Sequence, residues 1–397
     1  THGAGFRGTR NLQAVRFNTN AAAYDDRLSR DRSSNSAARP WGARGLGLPE
    51  PLEPVNIAGV SSATNLFLAP MSGVTDSAFR RLVRTCSGEA LGLVVTEFVA
   101  AEGLGRGNRR TLAMLRFKQS ERPLSVQIFG ADPGRMAEAA AMVADSGADI
   151  LDLNCGCPAP KVVKRGGGAE LMRNPRRLRD ILRAMVSRVD IPVTVKLRSG
   201  WNDDSLNAVE IARMVEDEGA AMVTVHGRTR EAMYRGPADW ELVARIRAAA
   251  TIPVAGSGDA GDPEAALGRL RGGWADAVMI GRAALANPWV FAQIYDLASG
   301  RSPRVVRPEH RTAALATFHR FLAETLPEKA LLGRLKGMAC RLSRGRAKSA
   351  AARRRIGEAG DAAAVLALFA DLMESSLAET EAVELVAQNR PAPGATP

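Results

Sequence analysis

The sequence predicts an α/β protein: a (β/α)₈ TIM barrel followed by a small, all-helical C-terminal unit. Three observations predict it. Short apolar runs of strand length recur eight times between Leu66 and Ile280, most of them about 25 to 30 residues apart, the length of one strand plus one helix. The intervals carry helical periodicity with cap signals. Beyond Ile280 the strand-like runs stop and helical patterning continues alone. A doubly wound open sheet is the alternative for the first part.

Taken in order, the 397 residues suffice for one large core and a smaller unit. Residues 1–54 are rich in Arg, Asn, Ser, Ala and Gly without an apolar period, and are expected to be a disordered extension. No signal-peptide apolar core begins it, and Asp25, Asp26 and Asp31 weigh against an organellar transit peptide. The barrel is expected over 55–305. Its eight runs cover 66–68, 93–96, 125–128, 150–153, 193–196, 222–225, 252–255 and 277–280. The widest gap follows the fourth run, which predicts a long loop after Asn154. Met136, Ala139, Ala140 and Val143 form one face of a helix that stops at Gly147. A similar pattern over 207–218 stops at Gly219, and Asp262-Pro263-Glu264 reads as an N-cap, a first-turn proline and an early acid. A Pro/Arg-rich linker at 302–308 leads into helical patterns over 309–326, 329–343 and 361–377, a unit bounded at 306–385, with a flexible tail over 386–397.

Composition narrows the function classes. A hydrophobic share of 46% and a charged share of 24% are those of an ordinary soluble chain, and no run approaches the roughly 18 apolar residues of a membrane span. The net charge of +12 is unusual and points to a polyanionic partner, nucleic acid first and an acidic membrane surface second. An arginine-favouring genome is the plainer alternative. The charge is concentrated: residues 329–355 hold ten Lys/Arg and no acid. Four cysteines make no disulfide framework, and Cys155 and Cys157 form C-x-C without partners at zinc spacing. No metal is therefore expected, and a reducing, cytoplasmic setting is.

A barrel places its chemistry where strands end. The residues there are Ala69-Pro70-Met71-Ser72, Glu97, Gln127, Asn154 with Cys157, Lys196-Leu197-Arg198, His226-Gly227-Arg228, Ser257-Gly258-Asp259 and Gly281-Arg282. Two consecutive Gly-rich turns, after the seventh and eighth runs, suit a phosphate, and Arg282 adds a charged contact. Lys196 across the mouth suits an anionic ring, and Gln127 and Asn154 offer amides. Together they suit flavin mononucleotide. Gly256-Ser-Gly258-Asp-Ala-Gly261 also matches the dinucleotide fingerprint G-x-G-x-x-G, but it follows the seventh run, with one strand left, where a Rossmann fold needs it at the start of a sheet. Cys157 sits in a Gly/Pro loop near Lys161, Lys164 and Arg165, cations that favour a thiolate or set the thiol beside an anion. Cys155 reads as packing. Gly166-Gly167-Gly168 is expected to let this loop close as a lid.

The combined motifs resemble the tRNA-dihydrouridine synthases, the bacterial B-type branch in particular. Those carrying the resemblance are Ala69-Pro-Met-Ser-Gly-Val-Thr-Asp76, Thr96-Glu97, Val126-Gln-Ile-Phe-Gly130, Leu153-Asn-Cys-Gly-Cys-Pro158, Val195-Lys-Leu-Arg198, Thr224-Val-His-Gly-Arg-Thr229 and Ile280-Gly-Arg282. The resemblance implies FMN contacts at Pro70, Met71, Ser72, Gln127, Lys196, His226, Ser257, Gly258, Asp259, Gly281 and Arg282. It implies Cys157 as catalytic acid, and Asn154 and Arg228 at the uracil. It further implies a cycle in which NADPH reduces FMN, hydride passes to C6 of a tRNA uridine, and Cys157 protonates C5. Lys161, with Lys336 and Arg341 on the basic stretch, is the expected tRNA contact set, on a monomer. Two departures stand out: Ser257 replaces the family's usual Asn, and Arg334-Leu-Lys336 resembles the family's basic helix motif only loosely. A small-molecule flavin oxidoreductase on the same barrel and a catalytically inactive RNA-binding relative are the competing readings. The basic helical appendage argues against the first, and the intact Cys157, Lys196 and His226 against the second.

Overall fold

The computed structural model describes residues 50–345 and 349–388, with side chains through residue 375. The extension and tail expected at the two ends therefore lie largely outside the described residues. Residues 50–54 already belong to the fold, with Leu52 fully buried.

Eight parallel strands close into a barrel: β1 (Leu66–Leu68), β2 (Leu93–Val95), β3 (Leu124–Phe129), β4 (Ile150–Asn154), β5 (Val193–Arg198), β6 (Met222–His226), β7 (Val254–Ser257) and β8 (Ala277–Ile280). Each pairs with the next, and β8 returns to β1 through Val278–Leu66, Met279–Phe67 and Ile280–Leu68. The open-sheet alternative is thus excluded. Most strands move at one or both ends by one or two residues, and β7 starts at Val254 rather than Ile252 because Pro253 has no N–H to donate to a ladder.

Strand alternation decides which residues look inward. Leu66, Leu68, Val94, Leu124, Val126, Leu151, Leu153, Val195 and Val223 face outward into the helical layer. Their neighbours Phe67, Leu93, Ile150, Met222, Ala255, Ala277 and Met279 fill the barrel floor, sealed from below by Val55 and Ile57 of the hairpin formed by Asn56–Ile57 and Val60–Ser61. Two and four residues further along the same inward parity come Gln127, Asp152, Asn154, Thr194, Lys196, Thr224 and His226. The barrel is therefore apolar below and polar above.

The Gly-rich stretch that matches a dinucleotide fingerprint lies on β7 and its exit, and each glycine answers a local need. A Cβ at Gly256 would stand 2.2 Å from the Trp240 ring, one at Gly261 would stand 2.5 Å from the Ala283 Cβ, and Gly258 has φ +107°.

Helices Pro308–Ala323, Glu328–Leu342, Ser349–Glu358 and Ala362–Gln388 form the C-terminal unit. The third is absent from the expectation, since its arginine-rich sequence hides its apolar stripe, and the last extends three residues into the stretch expected to be tail. The unit packs on the barrel helix Ser77–Ser87, and one continuous apolar core runs through both. An Arg81–Glu324 fork, with two contacts of 2.8 Å, reinforces the junction.

Inside the barrel wall, Arg80 and Glu121 form a buried pair at 2.6 Å, with 2% and 0% exposure. Glu121 also accepts from Ser77 Oγ at 2.5 Å and from the Lys118 amide at 2.7 Å. Removing one partner of such a pair strands the other charge. Glu121→Ala should therefore lower unfolding free energy by about 3–5 kcal/mol, measured by urea denaturation, with a mild Ser77→Ala as comparison.

Candidate active site

The upper barrel is organised by one carboxylate. Asp152, buried on β4, accepts from Thr194 Oγ1 at 2.5 Å and from Gln127 Nε2 at 2.6 Å. A carboxylate is an acceptor only, so it fixes the sense of the chain beyond it. Gln127 turns its amide NH₂ toward Asp152, which leaves Gln127 Oε1 to accept from Asn154 Nδ2 at 2.7 Å. Asn154 Oδ1 then accepts from the backbone amides of Cys157 at 2.9 Å and Gly156 at 3.3 Å. The end of this chain is the loop that carries the thiol. Gln127 and Asn154, both expected as ligand contacts, are thus also the internal supports of Cys157. Asp152 went unnoticed in the sequence because an isolated Asp within an apolar run carries no motif.

The loop is tightly packed. The Cys157 carbonyl accepts from the Ala169 amide at 3.1 Å, and a Cβ on Gly168 would lie 2.7 Å from that carbonyl oxygen. Gly167 lies against the Gly130 carbonyl. Gly167 and Gly168 permit this close approach. Arg198 holds the other side, its Nε donating to the Gly156 carbonyl at 2.8 Å and its Nη1 to the Thr229 and Met233 carbonyls at 2.9 Å each. Burial raises the Cys157 pKa, opposed by the Ala159 amide and by Arg198 and Lys196. The cations facing the thiol are those two, rather than Lys161, Lys164 and Arg165; Lys161 sits exposed on the turn Pro160–Val163. The raised pKa leaves the thiol protonated at neutral pH. Cys155 is fully buried packing.

Lys196 and His226 complete the inward wall. Burial and Arg198 lower the Lys196 pKa to about 8, and Asp152 pulls the other way. Burial, then Lys196, Arg198, Arg228 and Arg282, hold His226 down to about 2, so its ring is neutral.

Across the mouth, loops seven and eight form the turns expected for a phosphate. Gly258 has no room for a side chain, since a Cβ would meet the Ala238 Cβ at 2.7 Å and His226 Nε2 at 3.3 Å. Two carbonyls of this turn are drawn outward, Gly258 by Trp240 Nε1 at 2.8 Å and Asp259 by Arg269 Nη1 at 2.6 Å. Arg269 itself stacks on Trp240, 4.2 Å from its centroid. Asp259 (φ +46°) and Arg228 brace each other: Arg228 Nη2 reaches both carboxylate oxygens at 2.6 Å and the Gly236 carbonyl at 2.7 Å. Arg228 is buried, with Nε and Nη2 tied to Gly236 and Asp259 and Nη1 3.3 Å from His226 Nε2, which sets the residue expected at the uracil beside the His226 ring. Ser257 is buried at the strand end. Gly281 lies beside Ala69 and Met71, which joins loop eight to Pro70–Ser72. Arg282 is exposed and stacks on Tyr234, 4.1 Å from its centroid. Tyr234 comes from the loop after β6, half exposed over the same turns, a position no strand-end pattern marks.

Residues 67–373 match the family model described as Dihydrouridine synthase (Dus). The chain belongs to the dihydrouridine synthase family. It is similar to a tRNA-dihydrouridine synthase B of Xanthomonas axonopodis pv. citri (strain 306), 43% identical over 247 residues that make up 62% of this chain and 74% of that protein. A tRNA-dihydrouridine synthase B of Pseudomonas aeruginosa is 39% identical over 277 residues, 68% of this chain and 82% of that protein. These likenesses place this dihydrouridine synthase with the B-type branch.

The basic stretch of this dihydrouridine synthase divides in two. Lys336 is tied to the chain itself, its Nζ donating to the Gly357 carbonyl at 2.8 Å, and so locks two helices together. Arg341, with Arg344 and Arg353, lines an open cavity of about 640 Å³ between Gly337, Cys340 and Ser349. Among the described residues no group of His, Cys, Asp and Glu is arranged to hold a metal ion, and no helix is long and apolar enough to cross a membrane.

Asn154→Ala leaves the Gly156 and Cys157 amides without an acceptor, a loss of about 1–3 kcal/mol per stranded group. The loop should loosen, and iodoacetamide should alkylate Cys157 roughly tenfold faster at fixed pH. In the unaltered protein the alkylation rate should rise with pH through a midpoint above the ordinary thiol value, because burial disfavours the thiolate. A midpoint below that value would contradict the protonated thiol.

Proposed function

We propose that this dihydrouridine synthase reduces the C5–C6 bond of uridine in tRNA with FMN as its flavin and NADPH as the reductant. Family membership makes it an oxidoreductase that forms dihydrouridine. The observation that carries the finer reading is a protonated thiol at Cys157, held by the Asp152–Gln127–Asn154 chain beside a cationic wall and opposite a pair of glycine turns.

The residues fit the cofactor. Lys196 is a half-buried cation with no ion pair among the described residues, a state costly to maintain unless a negative group is to come against it. The turns at Gly258 and Gly281, with exposed Arg282, suit the phosphate, and Met71 beside Gly281 offers apolar contact. Bound there, the flavin supplies the hydride for C6 after reduction by NADPH.

Cys157 supplies the proton. Its Sγ–H is the acid that delivers to C5, and the thiol is suited to this because burial keeps it protonated. Arg198 and Lys196 stand by to stabilise the charge left on sulfur. The neutral His226 ring can accept or donate one hydrogen bond without adding charge to an already cationic wall. The reacting base must come down to the strand ends, so the uridine has to leave its stack. The arginines of the 640 Å³ cavity, together with Lys161, are the proposed phosphate contacts that hold the tRNA while this occurs. The cytoplasm is the proposed setting.

Purified protein should be yellow, and its reduced flavin should be reoxidised by tRNA lacking dihydrouridine. Reoxidation by free uracil or orotate but not by tRNA would favour the small-molecule oxidoreductase instead. Cys157→Ala should keep its flavin and lose on the order of 10²–10⁴ in the rate of dihydrouridine formation; full activity would remove the thiol from the reaction.

A flavin set against Lys196 raises its pKa again, so binding takes up a proton wherever the free protein's lysine is neutral. FMN affinity should accordingly be flat below a pH of about 8 and weaken above it, by up to about tenfold per pH unit. Fluorescence titrations from acid to alkaline pH should show this break, and Lys196→Arg should abolish it.

A further inference from the structure

The segment from Pro70 to Asp76 leaves β1 and carries the residues assigned above to the flavin. It has no regular structure of its own, so its shape depends on where its polar groups are tied. Met71 and Thr75 close a turn, with the Met71 amide donating to Thr75 Oγ1 at 2.9 Å and the Thr75 amide donating to the Met71 carbonyl at 3.0 Å. Gly73 takes φ +70°, and its amide donates to the Glu97 carboxylate at the exit of β2. The Thr75 carbonyl accepts from Arg80 Nη1 at 2.6 Å. These three ties belong to the barrel.

A further tie comes from the helical unit. Arg334, on the helix Glu328–Leu342, donates from Nη2 to the Val74 carbonyl at 3.3 Å and pairs with Asp76 Oδ2 at 2.7 Å. Asp76 is a fixed post for this contact, because its Oδ1 caps the helix Ser77–Ser87 through the Phe79 amide at 3.0 Å. The side chains are 28% and 23% exposed, so the contact is partly screened from solvent and is not a free surface pair. The loop is thus clamped between Glu97 on one side and Arg334 on the other. The other basic side chains of this helix lie elsewhere, Lys329 exposed in its first turn, Lys336 on the Gly357 carbonyl and Arg341 at the arginine-lined cavity.

We infer that Arg334 is a positioning residue for the cofactor: through this guanidinium the helical unit sets the shape of Pro70–Ser72 and so governs how tightly flavin is held. The inference rests on the flavin reading above and goes beyond it. The unit that offers a face to tRNA is also part of the scaffold of the redox site. Arg334, although it stands in the basic stretch, is then not an RNA contact.

The test is FMN binding to the full-length chain after removal of any bound flavin, followed by fluorescence and by the shape of the flavin absorption bands, with thermal unfolding of the flavin-free forms as a fold control. Arg334→Ala should weaken FMN by roughly tenfold, the scale of one lost charge-assisted bond, and should alter the bands of the flavin that does bind. Arg334→Lys, which can keep the ion pair, should recover part of the affinity. Asp76→Asn, which keeps the helix cap through its amide oxygen, should act in the same direction as Arg334→Ala, and the two together should be no worse than either alone. Arg354→Ala, exposed on the helix Ser349–Glu358 and away from the loop, should leave FMN affinity unchanged. If Arg334→Ala and Asp76→Asn bind FMN as the unaltered protein does, while Arg334→Ala binds tRNA more weakly, Arg334 is an RNA contact and the inference is overturned. If the unaltered protein binds no FMN, the flavin reading itself falls and takes this inference with it.

Discussion

One buried carboxylate sets the polarity of the whole mouth. Asp152 lies within the barrel, where an unpaired charge would be prohibitively costly. It is tolerated because Thr194 and Gln127 both donate to it and Lys196 lies near enough to favour its ionised form, although burial still raises its pKa to about 6. Being an acceptor in its ionised form, it dictates the orientation of Gln127, then of Asn154, then of the backbone at Cys157. The position of the Cys157 sulfur is thereby decided by a group on the strand that leads to it, acting through Gln127 on the neighbouring strand. A fully satisfied buried network of this kind is rigid, which is what the proposed proton donor requires.

The same low-dielectric setting sorts the titratable groups into roles. Burial favours the neutral form of each: it raises Cys157, lowers Lys196 to about 8 and lowers His226 to about 2. What differs is the charge each retains at neutral pH. Cys157 keeps its proton and can give it away. Lys196 keeps its charge, but only just, and so gains most from an anionic neighbour. His226 loses its charge and becomes a directional hydrogen-bonding group. Pushing pKa values apart by environment is how a few side chains divide acid, electrostatic and orienting work among themselves.

The fold was legible because its signals are local and repetitive. Eight apolar runs with helices between them allow few architectures, and strand alternation then identifies Gln127, Asn154, Lys196 and His226 as inward at the polar end. The glycine turns after β7 and β8 were legible as turns for the same reason. What could not be read was pairing over distance. Nothing in the sequence says that Arg228 is spent on Asp259 and Gly236, that Arg198 holds the Gly156 carbonyl, or that Lys336 reaches Gly357. Nor does a run of three glycines reveal whether it swings or packs. The Gly168 φ of +61° and its closeness to the Cys157 carbonyl are seen only in three dimensions.

The basic stretch shows why charge alone misleads about contact. Residues 329–355 hold ten cations without an acid, a pattern that reads as one uniform face for a polyanion. In the fold two of them turn to the protein's own backbone, Lys336 to the next helix and Arg334 to the loop at Val74 and Asp76. Each satisfies carbonyls at places where chain segments meet, a use to which a long cationic side chain is as well suited as it is to a phosphate. The consequence is geometric. Arg341 rides on the helix that Arg334 ties to the first loop of the mouth, and Arg353 on the next helix, which Lys336 ties to it, so their placement relative to the mouth rests on packed contacts. On the proposed reading, a tRNA held by those arginines would present only the stretch of its surface that spans the distance to the mouth, and the choice of uridine would be set by the junction between the two units.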